Sequence, residues 1–469
     1  MIKKYKLPVL AVAMMITMTG CSADNTVSQS TTPSEAEATT SGDEKQEQKE
    51  TKTEQNEKNN DLIQLTDKLF HDSYDTENGR YSLITKETED GFSLNCIAYV
   101  DYETAEQIVL CNKPNCKHDS EDCSAVIPEE IQYGGLYLFG DGEYLYLAAS
   151  PYDSAGTSTV ETISDSGIIN INTTSDTPPV LYRMNLDGTN REKIHTLPDG
   201  VIVEGDFFGD GNYFYTVTKK LEAETEGNTT YTKGYDKKLI RIDRETGKEE
   251  DVLSLGTDAT ILGCYGRSLI LAENDYGKEL TQEEIFDDNA FRAAYENSVY
   301  KITSVNLDTG AVTTLKEIDQ SQLHTELVKD GCLYISYEKD TGIDKIDLAS
   351  FEQTTIPTEK NYNIDYELDG ILLGVEWDAD ATHYDFINTE TGEIKESTLQ
   401  TSEGTPVTIV SENSDSLFVW YDFVNKEEYV AWADVTQEVI AETHYGMIKK
   451  SDYLNNVGNY REVAMLEVE

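Results

Sequence analysis

Three cysteines and one histidine lie close together near residue 115 and form the clearest chemical pattern in the chain. Cys111, Cys116, His118 and Cys123 fall within Cys-Asn-Lys-Pro-Asn-Cys-Lys-His-Asp-Ser-Glu-Asp-Cys. Three thiolates and one imidazole are four ligands that zinc binds tetrahedrally, and a bound ion would fix a short loop that lacks regular structure. The single residue between Cys116 and His118 differs from the spacing of common zinc knuckles. The pattern is compatible with a structural zinc ion, the only cofactor that the sequence suggests.

The N-terminal residues have the pattern of an export signal that ends at a cysteine. Three lysines precede an apolar run, residues 7–18, that is too short to span a bilayer, and Gly20 and Cys21 follow it. This arrangement resembles the lipobox of bacterial lipoproteins, in which the cysteine after the cleavage site carries a diacylglycerol. The resemblance implies that residues 1–20 are removed. It also implies that Cys21 anchors the protein to the extracytoplasmic face of the cell membrane.

Disulfide bonds are the alternative for the cysteine-rich loop, because exported proteins more often pair their cysteines. The chain has seven cysteines, and an even number remains once Cys21 is set aside for lipidation. Cys96 lies in the same repeat as the loop and could pair with one of its three cysteines, which would leave two for a local bridge. Free thiols, disulfides and a zinc site therefore all remain open.

The residues after Cys21 support an anchor followed by a tether. Residues 22–60 contain almost no apolar side chains, so they cannot bury enough surface to offset their conformational entropy. We expect residues 21–60 to be a lipidated cysteine and a disordered linker, with a root-mean-square reach of about 35 Å. Residues 61–469 then form the folded domain.

Acidic residues dominate the composition. The formal net charge is −52 at pH 7. So negative a surface disfavours binding to nucleic acid and to anionic lipid head groups. Beyond residue 18 no apolar run approaches the length of a membrane span, so the lipid on Cys21 is the only membrane attachment that we expect.

A repeated pair of patterns runs through residues 78–450. One half is an apolar and aromatic strand that follows an Asp-Gly turn, and such turns begin at Asp141, Asp210, Asp330 and Asp369. The other half is a hairpin in which apolar and polar residues alternate, as expected for strands with one buried face. The repeat predicts short antiparallel strands that pair locally.

The hairpins set the number of units. Their turns lie near Asp101, Asp187, Asp243, Asp308, Asp347, Asn388 and Asp434. Seven units of four short strands predict an all-β, seven-bladed β-propeller, with six or eight blades as alternatives. No inner strand is predicted for the first unit, and we expect a strand at residues 445–450 to fill that place and close the ring.

The hairpin at residues 181–194, with its Tyr-Arg-Met-Asn-Leu-Asp-Gly-Thr sequence, resembles the blades of TolB and of low-density-lipoprotein-receptor propellers. Many lipid-anchored proteins of Gram-positive bacteria carry such propellers, mostly without an assigned role. The resemblance covers the blade pattern only, so it implies a fold and brings no catalytic residues with it.

Two insertions interrupt the blades. Residues 279–296 predict a helix that begins at a capping box formed by Thr281 and Glu284. Residues 153–178, rich in Ser, Thr, Gly and Asp, predict a long loop on one rim of the propeller.

Known catalytic motifs are missing from the sequence, which has no His-Glu-x-x-His, Gly-x-Ser-x-Gly or phosphate-binding Gly-x-x-x-x-Gly-Lys pattern. The sequence therefore favours a cell-surface lipoprotein whose propeller binds a protein or glycan without catalysing a reaction. One alternative is an extracytoplasmic polysaccharide hydrolase or lyase, for which a cluster of carboxylates in the channel would be evidence. A structural lipoprotein of envelope assembly is the other.

Overall fold

The computed structural model describes residues 61–67, 70–87, 93–151, 177–226, 229–278, 280–281, 284, 288–338, 341–377, 382–430 and 435–466. Within these residues the strands form six four-stranded sheets and one five-stranded sheet, all antiparallel. These seven sheets are the blades of a propeller, so the predicted all-β fold and blade number are confirmed. The predicted signal, Cys21 and the tether lie outside the described residues.

Four strands that follow one another in the chain make each blade, and blades 1 to 4 take up the first part of the domain. Blade 1 consists of β2 (Ser73–Thr76), β3 (Gly79–Glu87), β4 (Ser93–Asp101) and β5 (Glu106–Val109). Blade 2 consists of β6 (Gly135–Gly140), β7 (Tyr144–Ser150), β8 (Val180–Asn185) and β9 (Glu192–Thr196). Blade 3 consists of β10 (Val201–Gly209), β11 (Tyr213–Glu226), β12 (Thr229–Asp243) and β13 (Glu249–Leu255), with β1 (Ile63–Gln64) added beside β10. Blade 4 consists of β14 (Thr260–Tyr265), β15 (Ser268–Asp275), β16 (Val299–Asn306) and β17 (Val312–Asp319).

Blades 5 to 7 complete the ring. Blade 5 consists of β18 (Leu323–Lys329), β19 (Cys332–Tyr337), β20 (Ile343–Asp347) and β21 (Gln353–Ile356). Blade 6 consists of β22 (Asn363–Leu368), β23 (Ile371–Trp377), β24 (Thr382–Asn388) and β25 (Ile394–Glu396). Blade 7 consists of β26 (Thr408–Glu412), β27 (Ser416–Val430), β28 (Val435–Lys449) and β29 (Arg461–Val463).

The first strand of each blade is the innermost, because first strands of neighbouring blades contact one another, as β14 does with β18 and β18 with β22. Each first strand runs in the same direction along the central channel, so the two ends of the channel differ. The turn face carries the connections between first and second and between third and fourth strands. The loop face carries the connections between second and third strands and those between blades.

Short helices occupy some of these connections. Helix α1 (Asp288–Glu296) joins β15 to β16, α2 (Lys450–Leu454) joins β28 to β29, and 3₁₀ turns lie at Glu129–Ile131 and Gln320–Gln322. The predicted capping box is present, since Thr281 N donates to Glu284 Oε2 at 3.0 Å and Glu284 N donates to Thr281 Oγ1 at 3.3 Å. No helix in the described part of the chain is long and apolar enough to cross a membrane. All but the last two residues of the predicted rim loop, 153–178, lie outside the described residues.

Acid and amide side chains shape the predicted hairpin turns. Asp243 Oδ1 accepts hydrogen bonds from the backbone of Glu245 and Thr246, and Asp347 Oδ1 does the same in blade 5. In blade 4 this role falls to Asn306, two residues before the predicted Asp308. The predicted turn at Asp434 lies outside the described residues, and the third-to-fourth connection of blade 7 is α2 and its flanks.

The prediction for ring closure is wrong. Residues 445–449 belong to β28, the third strand of blade 7, and blade 1 has its own inner strand at Ser73–Thr76. That strand reads Ser-Tyr-Asp-Thr, which lacks the apolar pattern of the other inner strands. The ring closes instead through the chain after β29, where Gln107 N donates to Ala464 O at 2.8 Å and Ala464 N donates to Ala105 O at 2.9 Å.

Apolar side chains pack between neighbouring blades, and the largest aromatic cluster lies between blades 2 and 3. Phe139 stacks on Phe207 with ring centroids 4.3 Å apart, and Phe214 meets Phe139 edge-on at 5.5 Å. All three rings are buried. Strand β10 is thereby fixed against blade 2, which matters because the same strand carries polar residues into the channel.

The inner segment, residues 61–67 and 70–72, precedes blade 1. Its strand β1 runs antiparallel to β10, on the channel side of that innermost strand, with Ile63 opposite Gly209. Leu62 is buried between blades 3 and 4, and Leu65 is buried between blades 2 and 3. The propeller therefore begins from within its own channel.

Candidate metal centre and channel-mouth site

The cysteine-rich loop, residues 110–134, connects β5 of blade 1 to β6 of blade 2 on the loop face. Its second half returns to β4, where Ile127 N donates to Asn95 O at 2.9 Å. Gln132 fixes this return, because its Nε2 donates to Ile127 O at 2.6 Å and its Oε1 accepts from Asn95 N at 2.8 Å. Both ends of the loop are thus held by blade 1, and the predicted ligands lie between them.

The four predicted ligands converge. One ligand atom from each of Cys111, Cys116, His118 and Cys123 lies within 4.8 Å of all the others. His118 Nδ1 is 3.2 Å from Cys123 Sγ. Zinc–ligand bonds of about 2.0–2.3 Å place tetrahedral ligands roughly 3.5 Å apart, so small side-chain movements would complete such a site. The structure therefore contains a cysteine and histidine cluster that fits a metal ion.

Backbone conformation makes this convergence possible. Asn115 has φ of 58° and His118 has φ of 56°, both in the left-handed region that non-glycine residues seldom adopt. Each reverses the chain within the loop. The loop thereby brings ligands from a thirteen-residue stretch to one point without a strand or helix beneath them.

The thiols differ in their environment. Burial raises the pKa of Cys123 to about 12. At Cys111 burial acts in the same direction, but hydrogen bonds from the Lys113 backbone and from Cys123 and Cys116 outweigh it and lower the pKa. Cys111 is therefore the thiol most ready to become a thiolate, and a bound cation would favour deprotonation of the others.

Cationic side chains surround the cluster. Lys86 Nζ donates to Lys117 O at 2.8 Å, and buried Arg191 donates through Nη1 to Val126 O at 2.7 Å. Burial and the nearby charge of Lys86 lower the pKa of His118, which keeps its imidazole neutral and able to bind a metal. Three thiolates on a divalent ion leave a negative charge, which these cations would offset.

Cys96, the proposed disulfide partner, lies in β4 and is fully buried, outside the cluster of four. Burial raises the pKa of its thiol to about 11. All six cysteines among the described residues are free thiols. The structure thus unites four of the five predicted cysteine-loop residues.

A second polar site lies in the channel near the loop face. Strand β10 contains a bulge between Val203 and Phe207, where Gly205 has φ of 95°. The bulge directs Glu204 and Asp206 on either side of Gly205 into one cavity of about 370 Å³. Inner strands of blades 2, 3 and 4 line this cavity at the ends where they begin.

Bases and cations accompany the two acids. Lys237 Nζ is 2.8 Å from Glu204 Oε2, and Lys219 Nζ is 3.6 Å from Glu204 Oε1. The Lys237 side chain is only 4% exposed. His71, from the inner segment, places Nε2 3.7 Å from Asp206 Oδ1. Two carboxylates and the Lys219 ammonium group therefore line the cavity, and the Lys237 ammonium group and the His71 imidazole lie next to them. These are groups that acid–base chemistry requires.

Sequence reasoning missed this second site. Among 89 acidic residues Glu204 and Asp206 do not stand out, and His71 is one of six histidines that occur singly along the chain. One signal was present: Glu-Gly-Asp interrupts the apolar run Val-Ile-Val and Phe-Phe within a single strand. Two charges beside a glycine in an otherwise apolar inner strand indicate a bulge that opens into a polar cavity.

Comparison with known proteins finds similar solved structures, all at low sequence identity. No protein-family model matches the chain, and no curated protein matches it in sequence. An acylaminoacyl peptidase of Pyrococcus horikoshii matches with a TM-score of 0.47 and 10% identity, over 86% of this chain and 52% of that one. An oligogalacturonate lyase in complex with manganese matches with a TM-score of 0.39 and 11% identity, over 77% and 93%. TolB from Acinetobacter baumannii matches with a TM-score of 0.32 and 11% identity, over 81% and 78%.

These similarities concern the fold, and the chain spans about half the length of the peptidases that it matches. The seven sheets confirm the predicted propeller, and TolB is among the proteins to which the chain is similar. The expectation of a non-catalytic binding propeller is corrected, because the matched structures include hydrolytic peptidases and a lyase.

Proposed function

We propose that this protein is an extracytoplasmic enzyme that cleaves a polysaccharide at the channel mouth. The observation that carries the proposal is the cavity lined by Glu204, Asp206 and Lys219, with His71 beside it, 3.7 Å from Asp206. Lys219 on the wall of this cavity provides a local cationic site for an anionic sugar in a protein of net charge −52. An acidic polysaccharide is therefore the substrate class that the cavity fits.

Elimination is the reaction that this arrangement supports best. Lys219, which lines the cavity, would bind the sugar carboxylate and so acidify the neighbouring C–H bond. His71 would take that proton, the C–H electrons would form a C=C bond, and the glycosidic C–O bond on the adjacent carbon would break. Water would protonate the departing sugar oxygen. Asp206, beside His71, would orient the imidazole and stabilise it once it is charged.

Hydrolysis is the second candidate, because two carboxyl groups in one cavity are the catalytic pair of most glycoside hydrolases. Glu204 and Asp206 would then act as acid and base on opposite sides of the bond. The products distinguish the two reactions. Elimination leaves an unsaturated sugar that absorbs ultraviolet light, whereas hydrolysis yields new reducing ends without that absorbance.

Incubation of the full protein with polygalacturonate, and with neutral xylan for comparison, tests the proposed activity. We expect new reducing ends and rising ultraviolet absorbance with polygalacturonate only. New reducing ends without a rise in ultraviolet absorbance would indicate that the reaction is hydrolysis. No new ends from either polymer would contradict the proposal.

We propose also that Cys21 carries a lipid that holds the protein on the outer face of a Gram-positive cell membrane. The lipobox-like sequence and the polar residues 22–60 support this location. Replacement Cys21→Ser should release the protein into the soluble fraction while its melting temperature stays unchanged, with Cys332→Ser as the control that stays bound. Continued membrane association of Cys21→Ser would contradict the anchor.

We propose thirdly that the cysteine cluster binds one structural zinc ion. The convergence of four ligand atoms, the neutral imidazole and the surrounding cations support zinc over a pair of disulfides. Purified protein should contain one zinc per chain, and Cys116→Ser should lower zinc content and the melting temperature. Cys332→Ser, outside the cluster, should alter neither. Two disulfides and no metal in the wild-type protein would contradict this assignment.

A further inference from the structure

Two lysines of blade 3 face each other across neighbouring strands beside the cavity. Lys219 of β11 lies directly opposite Lys237 of β12, and Lys219 lines the cavity. We propose that Lys237 makes the site selective for a charged sugar, because it holds Glu204 away from a tight ion pair with Lys219. This inference rests on the proposed function and adds how the same site selects the sugar carboxylate.

The two lysines lie on the face of blade 3 that packs against blade 4. Val217 and Leu239, each two residues away on the same face, pair with each other and belong to the same buried cluster as Ile261 of blade 4. The Lys237 side chain is 4% exposed and the Lys219 side chain is 18% exposed. Lys237 is therefore enclosed between the blades, whereas Lys219 reaches the cavity wall.

Glu204 compensates the charges of this lysine pair. Like charges directly opposite each other in a sheet repel, and a buried ammonium group is costly without a partner. From the bulge of β10, Glu204 places Oε2 2.8 Å from Lys237 Nζ and Oε1 3.6 Å from Lys219 Nζ. The first distance allows a hydrogen bond and the second does not. The carboxylate is thus bonded to the buried lysine and is only near the lysine at the cavity.

The charges of these three groups leave a cationic group at the cavity wall. Two ammonium groups and one carboxylate carry one net positive charge. Because Glu204 is bonded to Lys237, this excess charge lies at Lys219. Lys219 Nζ also lies 5.1 Å from the centroid of the Tyr235 ring, a cation–π distance that holds it in place. A sugar carboxylate that enters the cavity meets this ammonium group.

Loss of the Lys237 charge would change the lysine with which Glu204 pairs. The carboxylate would move toward Lys219, a cation already 3.6 Å away, and would neutralise it. A neutral sugar would bind as before, since it has no carboxylate for Lys219. Lys237 is therefore a positioning residue, which acts on the sugar through Glu204 and Lys219.

Calorimetric titration with galacturonate and with galactose tests this role. The two sugars differ in the carboxylate, and neither has a glycosidic bond to cleave. Lys237→Met keeps a side chain of similar length without its charge, so we expect it to weaken galacturonate binding about tenfold and to leave galactose binding unchanged. Lys238→Met, the same substitution at the next residue of β12, should bind both sugars as the wild-type protein does.

A double variant separates positioning from direct contact with the sugar. When Glu204→Gln is combined with Lys237→Met, the carboxylate that would neutralise Lys219 is gone. Galacturonate binding should then return to within about threefold of wild type. If Lys237 contacted the sugar itself, the double variant would bind as weakly as Lys237→Met.

The outcomes distinguish this inference from the proposed function. Wild-type affinity of Lys237→Met for galacturonate, or a double variant as weak as Lys237→Met, would overturn the role of Lys237 and leave the proposed activity intact. A wild-type protein that neither binds galacturonate nor cleaves polygalacturonate would contradict the proposed function and with it this inference.

Discussion

At the scale of single residues, acids placed between blades behave differently from the many acids on the surface. Glu367, the fifth residue of β22, is 3% exposed, and its Oε1 accepts from Gly370 N at 2.6 Å. Burial, with a further contribution from the neighbouring carboxyl of Asp330, raises the pKa of Glu367 to about 7. A protonated Glu367 can donate its proton to Asp330, whereas two ionised carboxylates repel each other.

The raised pKa of Glu367 predicts a pH dependence of stability. The folded state holds this proton up to about pH 7, while the unfolded chain loses it near its usual pKa of about 4.3. The contribution of Glu367 to stability is therefore full below pH 4 and is lost as pH rises toward 7. Glu367→Gln should unfold at a higher temperature than the wild-type protein at pH 8, and the difference should shrink at pH 5. Exposed Glu390→Gln is the matched control, and equal melting temperatures of Glu367→Gln and wild type at pH 8 would contradict the assignment.

Residues close in sequence could be predicted to form a site, whereas residues distant in sequence could not. The four ligands of the cysteine cluster lie within thirteen residues, so their types and order already indicated a metal site or disulfides. His71 and Asp206 are brought together by the inner segment and the β10 bulge. Neither feature has a strong sequence pattern, because the segment is short and the bulge depends on one glycine.

At the scale of elements, β10 combines packing with the candidate chemistry. Its Phe207 packs against Phe139 of blade 2, while Glu204 and Asp206 of the same strand line the cavity. Side chains alternate between the two faces of a strand, so Phe207 and the two acids can lie in different surroundings. The bulge at Gly205 changes the directions in which Glu204 and Asp206 point. The position of the acids therefore depends on the aromatic contact between blades.

Loss of that contact should destabilise the propeller measurably. Phe207 is 2% exposed, so Phe207→Ala should lower the free energy of unfolding by about 3–5 kcal/mol through lost burial and the cavity left behind. Phe351→Ala removes a ring that is 45% exposed and should change stability by about 0.5 kcal/mol or less. Denaturant titration of both variants measures the difference. Similar losses in the two variants would contradict the role given to the aromatic cluster.

The repeat predicted most elements because each blade reuses one pattern of turns and alternating strands. Asp243, Asp347 and Asn388 cap third-to-fourth turns as the repeat indicated. Blade 1 was misjudged because its inner strand, Ser73–Thr76, is only four residues long and polar. Packing by neighbouring blades and the inner segment stabilises that strand, and such tertiary support leaves no local signal.

At the scale of the whole molecule, the two ends of the propeller have different roles. The loop face carries the cysteine cluster, α1 and the mouth of the cavity, while the inner segment begins at the turn face. Residues 22–60 precede that segment in the chain. The resulting hypothesis is an anchored enzyme. Its folded domain begins at the turn face, and its pocket opens at the loop face.

Activity of a matched pair of variants on polygalacturonate tests this hypothesis most directly. His71→Asn removes the imidazole that lies 3.7 Å from Asp206, and His444→Asn makes the same change in β28 of blade 7. We predict that His71→Asn lowers the rate of release of new ends at least tenfold, whereas His444→Asn retains the wild-type rate. Equal rates in the two variants would contradict a catalytic site at the channel mouth.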